Sequence, residues 1–221
     1  MADRLLFSKS GRAKYISHLD LMRTFQRAFS RAGIQIKHTE GFNPHPFVSI
    51  ALPLSVGYSS ECEILEFGLV GGASAEEVPA RLTAAMPEGI VIRKCYPAEK
   101  AVKNLAFVNY IVNMEYEEGR PLEAETALKE MLSVDSLVIR KKSKKAKSGF
   151  TEVDLIPLIK NWHVECGRET MTLNVVACAQ NPGLNPELIR SAFCERYPQY
   201  APDFVTFHRR EVLDADGVPF R

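Results

Sequence analysis

Arg4-Leu5-Leu6-Phe7-Ser8-Lys9-Ser10-Gly11-Arg12-Ala13-Lys14-Tyr15-Ile16-Ser17-His18-Leu19-Asp20 is the stretch on which the reading of the fold turns. Residues 4–8 are mostly apolar, and the polar run that follows is broken by Gly11, so a short strand is expected to end there. Ser17 stands three residues ahead of Asp20, the spacing at which an N-cap hydroxyl meets the third helical N–H. A helix therefore opens at Ser17, and Gly33 closes it. Outward from this pair, residues 47–52 and 61–70 read as strands, Ser74 caps a helix through Met86, and residues 89–93 return as a strand. The order β-α-β-β-α-β is that of the ferredoxin-like unit, two helices on one face of a four-stranded antiparallel sheet.

The second half repeats the order. Residues 107–116 read as a strand and 122–132 as a helix. Strands follow at 136–140, within 151–165 and at 170–178. Pro182 and Pro186 bracket the start of a helix at 185–197, where proline is tolerated, and a last strand covers 204–209. With 97–106 as the linker, the expected architecture is α+β: two tandem ferredoxin-like (βαββαβ) units with antiparallel sheets, over residues 1–96 and 107–221.

Of the 221 residues, 46% are hydrophobic and 25% charged, which excludes disorder and collagen-like repeats. Every apolar run is interrupted short of the ~20 residues a membrane helix needs, and no signal-peptide core precedes residue 4, so a cytoplasmic protein is expected. Cys62, Cys95, Cys166, Cys178 and Cys194 are odd in number and scattered, with no C-x-x-C spacing. That argues against a disulfide framework and against a thiolate metal cluster; no metal or cofactor is expected.

Charge is segregated. Net charge is +5 over residues 1–50, −7 over 51–139, +6 over 140–150 and −3 over 151–221, for a total of +1. Two basic islands thus sit in an acidic body, and each can neutralise phosphates locally or serve as solvated surface. In the first island, Leu21, Met22, Phe25, Ala28, Phe29 and Ala32 form the helix's core arc at 100° per residue. Arg23, Arg27 and Arg31 fall opposite it at i, i+4 and i+8, a self-repelling row that a polyanion would relieve. Lys9, Arg12 and Lys14 lie in the loop feeding the helix N-terminus, where free N–H groups and the macrodipole favour an anion. In Gly41-Phe42-Asn43-Pro44-His45-Pro46 two prolines hold Asn43 and His45 on a stiff extended loop. His18 projects toward the apolar arc and reads as a core-edge histidine. The second island, Arg140, Lys141, Lys142, Lys144, Lys145 and Lys147, reads as a basic hairpin tip. Glu61, Glu63 and Glu66 occupy a strand where an RNA recognition motif would place aromatic and basic residues, so stacking of that kind is disfavoured.

Three segments together, Lys14-Tyr15-Ile16-Ser17-His18-Leu19-Asp20-Leu21-Met22-Arg23, Gly41-Phe42-Asn43-Pro44-His45-Pro46 and Ala51-Leu52-Pro53-Leu54-Ser55-Val56-Gly57, resemble the radical SAM-linked protein family, a bacterial domain found fused to or beside radical SAM proteins. The resemblance implies a radical SAM protein as partner and a connection to RNA, and it supplies no catalytic residues. The chain has no cluster-binding cysteine triplet, so it would be the separate partner rather than the radical enzyme. The layout is also similar to CRISPR repeat-processing endoribonucleases, although Asp214-Ala215-Asp216-Gly217 is an acidic substitute for their glycine-rich loop.

The resulting expectation is a non-catalytic RNA-binding or substrate-presenting partner of a radical SAM enzyme. Phosphates would be held by Lys9, Arg12, Lys14, Arg23, Arg27 and Arg31, with Asn43, His45 and the 140–147 island adding contacts. The alternatives are a metal-independent RNA-processing endoribonuclease using His45 or His18 with Lys14 and Tyr15, and a protein-interaction adaptor without nucleic acid.

Overall fold

Strand β1 (Asp3–Lys9) is paired on both sides, antiparallel to β3 (Ser59–Phe67) and to β4 (Ile90–Pro97), so that Leu5 stands opposite both Leu65 and Cys95. A strand with both ladders filled is a natural centre for a sheet, and its apolar residues account for the burial of Leu5 and Phe7. The computed structural model describes residues 2–142 and 149–221. Within them the chain is a mixed α+β protein with mostly antiparallel strands and four α-helices. It divides into two compact units: residues 1–105 with 209–214 and 218–221, and residues 106–208 with 215–217.

In the first unit the strand order is β4-β1-β3, and β2 (Val48–Ile50) also pairs with β3 through Val48 and Phe67. Helix α1 (His18–Arg31) buries Leu21, Phe25, Ala28 and Phe29, the stripe expected from its 3.6-residue spacing. Phe25 meets Phe7 edge-on at 4.8 Å, and Phe29 tilts against Phe67 at 5.0 Å. Each such buried ring contributes roughly 1.5–3 kcal/mol. Past the helix end, Gly33 takes φ +64°, and Arg81 of α2 (Val78–Ala84) donates to the carbonyls of Ala32 and Gly33 at 2.8 and 3.3 Å. The helix C-terminus is thereby capped by a cation.

The second unit contains β5 (Leu105–Glu115), α3 (Leu122–Leu132), β6 (Val138–Lys142), β7 (Phe150–Asp154), β8 (Ile159–Cys166), β9 (Thr170–Cys178), α4 (Glu187–Arg196) and the first residues of β10 (Phe204–Asp214). Its sheet order is β10-β5-β9-β8, while β6 and β7 pair only with each other.

Several expected boundaries move, each for a local reason. The region 136–166 holds three strands, not two. The Asp154 carboxylate accepts from the N–H groups of Leu137 and Ile156 at 2.9 and 3.2 Å, and a 3-10 turn over Ile156–Leu158 separates β7 from β8. The helix expected over 74–86 is regular only as α2. Ser74 and Glu77 exchange bonds as a capping box would, but they close a turn, and the helix proper starts at the residue before Pro79. The expected linker shrinks because β4 runs to Pro97 and β5 begins at Leu105. The unit expected over 107–221 gives up 209–214 and 218–221, because the far half of β10 lies beside β3 in the first unit.

Gly89 (φ +90°) carries the tightest of these turns: Ser10 donates to its carbonyl at 2.8 Å, and a Cβ there would stand 2.4 Å from the Ser10 oxygen. Gly89→Ala is expected to cost about 2 kcal/mol or more in urea denaturation. Gly33→Ala, whose Cβ would meet only Arg81 at 3.5 Å, should cost about half that, the backbone part alone.

Candidate nucleic-acid interface

Two loops and the start of α1 are brought together by charges under them. Lys9, Glu63 and Arg209 are 1%, 1% and 3% exposed. Arg209 donates to Glu63 Oε1 at 2.8 Å and to the carbonyls of Leu52 and Pro53 at 2.7 and 3.3 Å. Lys9, within electrostatic reach of Glu63, donates through Nζ to the Ile16 carbonyl at 2.8 Å. Segment 51–57 and segment 11–16 are thus anchored to one buried carboxylate, and a bond from Gly57 N–H to the Lys14 carbonyl at 2.8 Å joins them directly. Burial pushes the Cys62 thiol up to about 12, so it sits beside the cluster as a neutral group.

This corrects the reading of Lys9. It lies at the end of a buried strand with its ammonium committed to a main-chain carbonyl, and it is not a surface phosphate contact. Its pKa is lowered by burial, an effect that Glu63 partly offsets.

Above the cluster, residues Gly11–Tyr15 form a 3-10 turn where a loop was expected. Arg12 is exposed, and the Lys14 ammonium lies 5.1 Å from the centre of the Tyr15 ring, itself 63% exposed. Ser17 caps α1 as its spacing indicates: its hydroxyl accepts from Asp20 N–H at 3.2 Å and donates to the Asp20 carboxylate at 2.7 Å. That hydrogen bond, followed by Arg23 at 3.2 Å, holds the Asp20 carboxyl below the usual carboxylate range. The arginine row divides. Arg23 and Arg27 are exposed along α1, whereas Arg31 donates to the Ala85 carbonyl at 2.6 Å and staples α1 to the end of α2.

The proline-bracketed loop is braced from within. Thr39 N–H donates to the His45 carbonyl at 2.8 Å, and His45 N–H donates to the Thr39 hydroxyl at 3.2 Å. His45 Nδ1 lies 3.0 Å from that hydroxyl and 3.2 Å from the Asn43 carbonyl. The loop is fixed to α1 by Gln26, whose amide donates to the Pro46 carbonyl at 3.0 Å. His18, the first residue of α1, has a buried Nδ1 with no hydrogen-bond partner. Among the described residues no hydrogen bond joins His18 or His45 to Lys14 or Tyr15. Nor do three His, Cys, Asp or Glu side chains gather as a metal site among the described residues.

A pocket of about 570 Å³ opens beside the same helix, at Gln26 and Pro46 where the loop is fixed to it. Phe29, Ile36 and Val70 wall it, and Gln26, Ser30 and His38 supply polar groups. The His45 side chain and the residues of the 3-10 turn do not line it. Sequence reasoning missed Gln26, Ser30 and His38. The first two sit at i and i+4 between the apolar arc and the arginine row, a position that was readable, but the wall formed by 34–38 and Val70 was not.

The second basic island belongs to the second unit. Arg140 stacks over Phe150 at 5.1 Å in the β6–β7 hairpin. Lys144, Lys145 and Lys147 lie outside the described residues, as do the side chains of Lys141 and Lys142.

Residues 4–186 match the bacterial family described as "Uncharacterized protein conserved in bacteria (DUF2344)". The chain is a member of that family. No curated protein matches it. Among solved structures, this DUF2344 chain is similar to one in "Crystal Structure of a Cbf5-Nop10-Gar1 Complex", with a TM-score of 0.53 and 11% identity over 95% of this chain and 48% of that one. It thus spans about half the length of that protein, and the likeness is one of fold alone. An unknown protein from Galdieria sulphuraria is 8% identical over 94% of this chain and 97% of its own, with a TM-score of 0.29. No described helix of the DUF2344 chain is long and apolar enough to cross a membrane.

Glu63→Ala strips the carboxylate from two buried cations and is expected to cost about 3–5 kcal/mol in chemical denaturation. Lys9 gives a pH signature. Folded, it loses its proton below the 10.5 of the free side chain, so in that window the unfolded chain holds the extra proton and stability rises with pH. Wild type should therefore gain stability relative to Lys9→Met as pH climbs toward 10.5; parallel curves would show that Lys9 is not desolvated.

Proposed function

We propose that this chain is a non-catalytic RNA-binding or substrate-presenting protein that works in the cytoplasm beside a radical SAM enzyme, and that both of its units are ferredoxin-like. The fold reading is supported by the order β4-β1-β3-β2 in one unit and β10-β5-β9-β8 in the other, each with the outer strands of the βαββαβ pattern flanking the same central pair. The partner class rests on the resemblance of segments 14–23, 41–46 and 51–57 to the radical SAM-linked family.

One observation carries the RNA reading: Arg12, Arg23 and Arg27 are exposed in the turn before α1 and along it, and the Lys14 ammonium lies 5.1 Å from the ring of an exposed Tyr15, in a segment held from below by Lys9. Cations neutralise phosphates and an exposed ring offers a stacking surface, the combination that single-stranded nucleic acid selects. Phosphate contacts of this kind position a strand without reading its sequence.

A second reading has its own support. Tyr15, Leu19 and Val56 are 63%, 66% and 57% exposed, and apolar groups at a surface suit a protein adaptor that touches no nucleic acid. Recovery of a radical SAM protein in a pull-down separates the two, since nuclease treatment abolishes an RNA bridge and leaves a direct contact untouched.

Binding to single-stranded RNA tests the main reading. Four phosphate contacts imply a log–log salt slope of about −3, or about 50-fold weaker binding at 200 mM than at 50 mM salt. Arg23→Ala with Arg27→Ala should roughly halve the slope. Affinity independent of salt, or unchanged in the double variant, would remove the assignment.

A further inference from the structure

We propose that the pocket beside α1 receives one unpaired base of the bound RNA, while the phosphates flanking that base run along Arg23 and Arg27. This rests on the RNA reading above and names the part of the strand that the protein recognises.

The helix itself sets the geometry. At about 100° per residue, Ser30 lies about 40° round from Gln26, Arg23 about 60° and Arg27 about 100°, all in the same direction. Gln26 and Ser30 line the pocket, so the arginine row borders the pocket on the Ser30 side. The two arginines stand about 6 Å apart along the axis. A strand held by them passes the pocket mouth.

The lining suits a flat heterocycle with polar edges. Val70, 43% exposed, offers apolar surface for one face, Phe29 and Ile36, 1% and 6% exposed, line it from below, and a volume of about 570 Å³ admits a base with its ribose. Polar groups stand among them. Gln26 commits its amide N–H to Pro46, which leaves its carbonyl oxygen as an acceptor; the Ser30 hydroxyl and the His38 ring add further groups. The main chain contributes as well. In the pairing of Ile36 with Leu69, the bonds run from Val70 N–H to the Gln35 carbonyl at 3.0 Å and from Lys37 N–H to the Gly68 carbonyl at 2.8 Å. Ladder geometry turns the N–H and C=O of Ile36 to the opposite side, and among the described residues no group takes them up. A donor and an acceptor on one residue match the alternating edge of a base. A hydrocarbon chain would leave these groups unsatisfied, at a cost that disfavours it. Extruded bases are recognised in this way, by apolar contact on the faces and hydrogen bonds on the edge.

Fluorescence anisotropy at 50 mM salt with a labelled 12-nucleotide single-stranded RNA of mixed sequence, and with an abasic strand of equal length, tests the proposal. Wild type is expected to bind the intact strand at least tenfold more tightly, about tenfold for the base in the pocket besides any stacking on Tyr15. Ser30→Trp, from the exposed helix surface, and Val70→Trp, from the opposite wall, should each weaken intact-strand binding about tenfold and leave abasic binding unchanged, with thermal midpoints confirming that both variants fold. Equal binding of the two strands by wild type overturns the pocket assignment and leaves the RNA reading standing. Full intact-strand affinity in both tryptophan variants overturns it too. Absence of binding by either strand ends both readings. Binding of AMP or UMP alone more tightly than the 12-mer would give the pocket to free nucleotides and overturn the RNA source.

Discussion

The buried carboxylate of Glu63 is the constraint on which the rest of the first unit's surface depends. A lysine and an arginine are drawn into the interior around it, and each also donates to main-chain carbonyls, Lys9 to Ile16 and Arg209 to Leu52 and Pro53. Desolvating three charges is unfavourable unless their geometry is satisfied. Here the reward is positional: two irregular segments that have no ladder of their own are held to one point. The outward groups of those segments, Arg12, Lys14, Tyr15 and Val56, inherit a fixed spacing.

Helix α1 then serves three environments within about two turns, residues 23–30. Its apolar arc packs on β1 and β3 through Phe25 and Phe29. Its arginine row faces solvent at Arg23 and Arg27, and its intermediate strip of Gln26 and Ser30 opens on the pocket. Because a helix is rigid, whatever contacts the arginines is held at a set distance from the pocket. In the proposed mode of binding, that coupling would hold a captured base at a fixed distance from the phosphates beside it.

How much of this was legible varied with the range of the interaction. The core stripe and cap of α1 depend on residues within one or two turns, and the sequence shows them: Ser17, Asp20 and the apolar arc are where spacing puts them. The helix α3 over Leu122–Leu132 and the strand β9 over Thr170–Cys178 were likewise readable from period alone. Lys9 was misread because a lysine followed by Ser10 and Gly11 has the local look of a surface loop; its burial depends on Glu63 and on Arg209, which stands 146 residues beyond Glu63. His45 lies between Pro44 and Pro46, and its ring turns back onto Thr39 and Asn43, a closure that two prolines permit without dictating.

Local order, then, is what the amino-acid string determined by itself: the alternation of strands and helices, the face each helix buries, and the clustering of positive charge in the first fifty residues. These follow from propensity, period and composition, which act between near neighbours. Only the tertiary structure decided which cations reach solvent, that Arg31 and Lys9 are consumed internally, and that the strip 34–38 and Val70 close a pocket against α1. Such outcomes turn on desolvation and on pairing across long loops, and neither has a signature until the chain has brought its distant parts together.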